Sequence, residues 1–413
     1  MTVTKEIVGT RIKEARENAR LTQDKLAQLV GLDRSVIGKI EIGARSVTGL
    51  EIDRFARVFG RNPQELVSLE PLKADPLLLF RSIALEDDDR HRQEIADCID
   101  LLREARMLEQ YLGCDEPDLP EGYTFPRMRT FVDAVRQGQE MAQRERERLG
   151  IGHAPIPDIA DLVIAQGIRA AAVPLIEDVS GIFIMHDELG AAILVNQFSS
   201  HLRCRFSYAH EYAHALTDRN EPSSPSSRTN AKTLTEARAN AFAGEFLVPE
   251  AGVWALLDRF KKGELSRFHQ ALYSPAAEEI QPYEGRNNPE TQKVTNREIA
   301  ALAHHYQVSA EVVIYRLLDI GAVRKPEKEA LLEQKIRIRE LINLLKFYDA
   351  EASDNQKPGG TEQPYLRKQI IFIAIEALRR DRIQSARFRD ICLKTGYPAS
   401  ALLDALGVVT EED

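Results

Sequence analysis

"RFSYAHEYAHAL", residues 205–216, sets His210, Glu211 and His214 in the order His-Glu-x-x-His. How this stretch folds decides the character of the middle of the chain. As a helix it places the two histidines one turn apart, so both imidazoles leave the same face and can bind one Zn²⁺. Glu211 then points about 100° round from His210. There it can hold a water as general base without taking a coordination position of its own. Five such residues can arise by chance, so the surroundings matter. Ala209, Ala213, Ala215 and Leu216 make them small and apolar, and two histidines there are hard to explain as solvated decoration.

A catalytic zinc needs a third protein ligand and an open position. The best candidate is Glu236 in "LTEARANAFAGEFLVPE", residues 234–250, on a downstream helix that can fold back beside the first. Asn240, one turn further, shares its face and can orient a ligand as an outer partner. Glu245 and Glu250 are weaker candidates near the helix end at Pro249. One of His304 and His305 is weaker still, because adjacent side chains diverge on a helix.

Length and composition bound the rest. At 413 residues the chain exceeds what one core usually supports, which predicts two to four domains. Hydrophobic content of 43% with 29% charged residues is that of a soluble globular protein, and no apolar run approaches the roughly 18 residues of a membrane span. The N-terminus lacks the apolar stretch of a secretory signal, and Cys98, Cys114, Cys204 and Cys392 are scattered, so a reduced, cytoplasmic protein is expected. Lys+Arg of 55 against Asp+Glu of 64 gives a net charge of −9, which excludes general coating of nucleic acid. Any DNA contact must be local, and the first 61 residues hold a basic surplus that includes Arg16, Lys25, Arg34, Lys39 and Arg45.

Along the chain, residues 7–68 read as five short helices, with Thr22, Asp33, Thr48 and Asn62 as N-caps and Pro63 at a first helical position. Residues 93–112 carry Ile95, Cys98, Leu102, Ala105, Leu108 and Leu112 at helical spacing, a core stripe or a dimer seam. "RERERLGIGHAPIP", residues 144–157, passes from charge to Gly and Pro and predicts a boundary near 148. Beyond it come a helix at 158–168, a strand at 169–176, and two strands within 181–196 around an Asp-Glu-Leu-Gly turn. Residues 205–219, 229–247 and 295–320 read as helices, and 274–292 as a long polar loop. A break at 352–364 precedes a last helical segment. In that segment Arg379, Arg380 and Arg382 are expected to form a solvated face.

Three segments together carry a resemblance: "RCRFSYAHEYAHAL" (203–216), "EARANAFAGEFLVP" (236–249) and "IAALAHHYQVSAEVVIYRLLDIGAV" (299–323). In that order they resemble the ImmA/IrrE metallopeptidases, over roughly residues 148–325. The resemblance implies His210, His214 and Glu236 as zinc ligands and Glu211 as catalytic base. It also implies substrates that are helix-turn-helix repressors. Tyr212 and Ala213 stand where the family commonly has Leu or Ile and a small residue, and Val248-Pro249 where Met-Pro is usual; neither removes a ligand or the base. Tyr212 is expected to pack, with its hydroxyl at the rim.

"LTQDKLAQLVGLDRSVIGKIEIGARS", residues 21–46, resembles the XRE, or Cro/C1-type, helix-turn-helix. Leu26, Ala27, Val30, Val36 and Ile40 are its expected core, and Gly31 its turn. By the docking geometry of that motif, Arg34, Ser35 and Lys39 on the second helix face bases or phosphates, with Gln23 and Arg45 on phosphates.

The expected fold is multidomain and mainly α. It has a five-helix helix-turn-helix domain at 1–70, a helical linker or dimerisation region at 71–147, an α+β gluzincin-like metallopeptidase domain with a small sheet at 148–326, and a helical domain at 327–413. The expected function is a cytoplasmic DNA-binding regulator, a homodimer with no membrane association. Its Zn²⁺ endopeptidase, with Mn²⁺ the alternative metal, cleaves a helix-turn-helix repressor or its own chain in a stress, phage or mobile-element response. The alternative is a non-proteolytic metal- or ligand-sensing transcription factor.

Overall fold

A computed structural model describes residues 4–18, 21–59, 63–67, 89–114, 118–186, 188–219, 226–227, 233–262, 267–274, 279–286, 292–350 and 364–407. The chain divides into two compact units, Met1–Glu86 and Asp87–Asp413.

In the first unit lie α1 (Lys5–Asn18), α2 (Gln23–Val30), α3 (Arg34–Glu41), α4 (Gly49–Phe59) and α5 (Pro63–Leu66). Thr22 caps α2 by accepting from the Lys25 amide at 3.2 Å. Thr48 and Glu51 cap α4 reciprocally, each side chain accepting from the other's backbone N–H at 3.3 and 2.9 Å. Asp33 precedes α3 without a side-chain cap bond, and Asn62 lies outside the described residues. Gly31 turns α2 into α3 at φ +70°, a conformation that costs glycine nothing. Leu26, Ala27, Val30, Ile37 and Ile40 are buried. Val36, expected in that core, is only half-buried; Ile37 takes the inward position, one turn before Ile40. Gly9 lets α1 close on the end of α3, since a side chain there would meet the carbonyl of Ile40 and stand 3.1 Å from the Gly43 nitrogen.

The second unit is built on a four-stranded sheet in the order β1-β3-β2-β4. Its strands are β1 (Arg169–Val173), β2 (Val179–His186), β3 (Gly190–Asn196) and the short edge β4 (Ser226–Ser227). β1 runs parallel to β3 (Arg169 beside Ala192), β2 antiparallel to β3 (Ile182 beside Leu194), and β4 antiparallel to β2. All seven residues of β3 are buried, the pattern of a strand covered on both faces. Helix α9 (His201–Thr217) packs on β2 and β3, while α6 (Asp89–Tyr111) packs on β1 and β3.

Two helices frame α9. Helix α10 (Leu234–Leu247) lies beside it, and α7 (Phe131–Arg148) backs α10 along an extended contact. Gly138 makes that contact possible: a Cβ there would stand 2.8 Å from the Phe242 nitrogen and 2.9 Å from the Ala241 Cβ, with the Arg238 carbonyl nearer still. Buried Arg146 then ties α7 to the Phe246 carbonyl of α10 and, at 2.6 Å, to that of Gly152. The unit continues with α8 (Ile159–Ile164, preceding β1), α11 (Glu250–Arg259), α12 (Asn296–Tyr306), α13 (Ala310–Asp319), α14 (Lys325–Glu333), α15 (Lys335–Ala350), α16 (Pro364–Arg379), α17 (Ser385–Thr395) and α18 (Ala399–Ala405).

Several expectations are corrected here. Of the two readings of the stripe at 95–112, the core reading holds: Ile95, Cys98, Leu102, Ala105 and Leu108 are buried in the unit's own core, where α6 meets α16 and β1. The single helix expected at 295–320 is two, broken where Gln307 turns left-handed at φ +53° and Ser309 caps α13 by accepting from Val312. Within the segment read as a polar loop, β6 (Glu279–Arg286) pairs antiparallel with β5 (Arg267–Ser274). Backbone pairing sets that hairpin, and its polar sequence did not announce it. The C-terminal helices pack into the unit, with Leu366, Ile370, Ala374 and Ala377 buried on one face of α16. Arg387 and Lys394 meet Glu104 of α6 at 2.5 and 2.9 Å. Arg379 and Arg380 lie exposed beside Glu376. The break at 352–364 falls, but for Pro364, outside the described residues.

Candidate metal centre and DNA-reading helix

Ser200 starts α9 by accepting from the Arg203 amide at 3.4 Å, and the helix runs without interruption through the His-Glu-x-x-His segment. Thr233 starts α10 by accepting from the Glu236 amide at 3.3 Å, which puts Glu236 in the first turn facing α9. His210 Nε2 stands 3.0 Å from Glu236 Oε2 and 3.3 Å from His214 Nε2, and His214 Nε2 is 3.7 Å from Glu236 Oε1. Among the described residues these three form the one cluster of His, Cys, Asp or Glu with converging ligand atoms, all within 4.8 Å of one another.

The outer nitrogens decide what the inner ones can do. His214 Nδ1 donates to Asp218 Oδ2 at 2.8 Å, and His210 Nδ1 donates to Asn240 Oδ1 at 3.0 Å. With both Nδ1 protons so used, each Nε2 either carries a second proton or turns a lone pair inward. Two imidazolium N–H groups 3.3 Å apart would repel, so at least one Nε2 turns its lone pair inward. Two neutral imidazoles and a carboxylate are the donor set of a zinc site.

Asp218 was not picked out from the sequence, although its position four residues after His214 places it on the same helix face. It also accepts from Arg238 Nη2 of α10 at 2.5 Å, so one carboxylate orients a histidine and joins the two helices of the centre. Burial opposes its charge, but His214 and Arg238 outweigh burial and hold the carboxyl below its ordinary range. Burial likewise disfavours His214 as a cation, and Asp218, with Glu211 and Glu236, overcomes this and raises its pKa.

Glu211 leaves α9 toward β2. It is 1% exposed, and among the described residues Ser226 of β4 is the side chain that hydrogen-bonds toward its carboxylate. Burial raises its pKa, against the pull of His210 and His214. Gly181 of β2 makes the room: a Cβ there would stand 3.0 Å from Glu211 Oε1. A buried carboxylate whose pKa burial raises is suited to take up a proton.

Tyr212 packs as expected, against Phe242 and Phe246, but its hydroxyl is not at a rim. It donates to buried Glu145 of α7 at 2.5 Å, and Glu145 also receives the Tyr123 hydroxyl at 2.9 Å and Arg148 at 2.6 Å. The weaker ligand candidates face elsewhere. Glu245 pairs with buried Arg316, Glu250 accepts from Trp254 at 3.3 Å, and His304 and His305 lie outside the cluster. A cavity of about 540 Å³ opens beside His210, Glu236 and Asn240.

In the first unit, α3 exposes Arg34, Ser35 and Lys39 along one side. Arg34 lies 3.4 Å from Asp24, with both groups in solvent. Gln23 and Arg45 are engaged within the unit. Gln23 donates to Glu41 at 2.8 Å beside the Arg16–Glu41 pair at 2.6 Å, and Arg45 donates to Glu51 at 2.8 Å.

Residues 176–318 match a family model described as the IrrE N-terminal-like domain, and residues 12–66 match a helix-turn-helix model. The chain joins a helix-turn-helix domain to an IrrE N-terminal-like domain. The IrrE N-terminal-like region contains His210, Glu211, His214, Asp218, Glu236 and Asn240. The helices that back it, α6, α7 and α16, lie outside its bounds. Among solved structures, the chain is similar to Bacillus thuringiensis PlcR in complex with the peptide PapR7 and DNA, at 12% identity over 98% of this chain and 96% of that one. The TM-score of 0.15 is too low to bear on the fold. No curated protein matches the chain. No described helix is long and apolar enough to cross a membrane.

Proposed function

We propose that the chain is a DNA-binding transcription regulator whose zinc-dependent endopeptidase cleaves a helix-turn-helix repressor, or its own chain, when a signal arrives. The observation that carries this reading is the convergence of His210 Nε2, His214 Nε2 and the Glu236 carboxylate next to the buried carboxylate of Glu211. Zinc, when bound by these three, supplies Lewis-acid polarisation of a peptide carbonyl. Asn240 and Asp218 hold the imidazoles with their Nε2 atoms inward. Glu211 accepts the proton of the attacking water and returns it to the departing amide nitrogen, work suited to a carboxylate whose burial raises its pKa. The amino-terminal unit brings the peptidase to an operator through α3, with Arg34, Ser35 and Lys39 at the groove and Gln23 and Arg45 toward phosphates, in the dimeric mode usual for the motif. The four cysteines are unpaired, which suits a reducing cytoplasm.

The test is incubation of the zinc-loaded protein with repressors encoded beside its gene, and alone, read by mass spectrometry. Cleavage by the wild type and none by Glu211→Gln supports the reading; cleavage retained in purified Glu211→Gln overturns it.

One observation favours a second reading, a non-proteolytic metal- or ligand-sensing transcription factor. Glu211 is sealed at 1% exposure and does not line the cavity beside the cluster. One zinc per chain, with no proteolysis of any neighbouring repressor or of itself under inducing conditions, is the result that this reading expects.

A further inference from the structure

The face of α9 that carries His210 continues beyond it. Phe206 and Leu202 precede His210 by four and eight residues, which places them one and two turns along the same face, about 5 Å apart per turn. Both are only half-buried, and both line the cavity that opens beside His210 and Glu236. Val312 of α13, also half-buried, lines the same cavity. Its wall is held in place: Ser309 caps the helix, and Arg339 of α15 grips Glu311 at 2.8 Å. Apolar side chains left half in solvent beside a reactive centre lose free energy that an apolar ligand group would recover on docking. A volume of about 540 Å³ accommodates a large side chain with the peptide backbone that carries it.

We propose that Leu202, Phe206 and Val312 form a side-chain subsite that selects peptide substrates with a large apolar residue, aromatic or branched aliphatic, next to the cleaved bond. This deepens the peptidase reading and rests on it. It defines the substrate by a local feature, a large apolar side chain next to the cleaved bond. Arg203, Glu311 and Arg339 also line the cavity, but a small polar residue would leave the three apolar groups wet.

Two measurements separate this proposal from the reading beneath it. The first is saturation-transfer NMR on the zinc-loaded Glu211→Gln protein with hexapeptides identical but for one Phe, Leu or Ser. The Phe and Leu peptides are expected to receive transfer at their side chains, and the Ser peptide to receive several-fold less. Phe206→Ala, which widens the subsite, and Val312→Phe, which fills it from the other wall, should each reduce the Phe signal while melting within a few degrees of the parent. Equal transfer to Phe and Ser, or a Phe signal unmoved by either variant, overturns the subsite whether or not the protein is an enzyme. The second is exposure of the wild type to a mixed peptide digest, with the cut positions read by mass spectrometry. Cuts beside Phe, Leu, Met or Tyr, shifted by Val312→Phe toward smaller residues, support the subsite; cuts without that enrichment overturn it. Selective binding with no cuts at all would leave the apolar subsite standing and remove the peptidase reading.

Discussion

The candidate metal centre rests on single atoms whose replacement has separable effects. Asp218 holds His214 through Nδ1 and Arg238 through its other oxygen. In Asp218→Asn the charge that favours the right tautomer is lost, and zinc affinity should fall about 10- to 100-fold. Competition against a chromophoric chelator checks this, and an unchanged dissociation constant would remove Asp218 from the centre. Gly181→Ala has a different signature. The added methyl, 3.0 Å from Glu211 Oε1, displaces the carboxylate but touches no ligand atom of the cluster. Turnover should drop about a hundredfold with zinc content unchanged. Equal loss of both would mean that the strand, and not Glu211, had moved. The histidines, Glu211 and Glu236 were legible in the sequence because helical spacing relates them within one or two short segments. Asn240 was legible for the same reason, and Asp218 could have been, four residues past His214. Gly181 could not. It meets Glu211 only across the interface of β2 and α9, and no local pattern marks that encounter.

At the level of elements, the support of the centre comes from α7, a helix whose sequence reads as part of a linker. Gly138 brings it against α10 between Arg238 and Phe242, the stretch that carries Asn240. Gly138→Ala should therefore cost about 1–3 kcal/mol of stability, the usual result of overpacking. Urea unfolding followed by circular dichroism measures it, and a neutral or stabilising result would mean that the two helices are free to part. Glu145 of α7 adds a pH dependence. Burial disfavours its charge, but Arg148, Tyr212 and Tyr123 prevail and hold its pKa below the ordinary carboxylate range. A carboxyl depressed in the folded state stabilises fully above its unfolded pKa, and that stability is lost as pH falls through the folded value. Melting temperature should thus fall more steeply on acidification in the wild type than in Glu145→Gln, and parallel curves would contradict the assignment. The role of α7 was not legible because its partners lie about a hundred residues downstream, as in the Gln143–Glu245 contact. The break at Gln307 was hidden for another reason: a left-handed glutamine has no signature comparable to glycine's.

Across the whole molecule, two self-contained units carry two different motifs, a helix-turn-helix and a His-Glu-x-x-His cluster. The helix-turn-helix was legible almost throughout, since caps, turn glycine and core stripe all act within a few residues. The surroundings of the peptidase domain were less so, because α6 and the C-terminal helices become one core only when chain ends far apart in sequence meet, as Glu104 meets Arg387 and Lys394. Both readings of the second unit require that His210, His214 and Glu236 hold one metal ion beside Glu211. Native mass spectrometry of the full chain after zinc loading and desalting tests it most directly. The account predicts one zinc per chain in the wild type and in Glu211→Gln, and loss of that zinc in His210→Ala and in Glu236→Ala. A wild type that retains none, or a Glu236→Ala protein that holds zinc as tightly as the wild type, would contradict it.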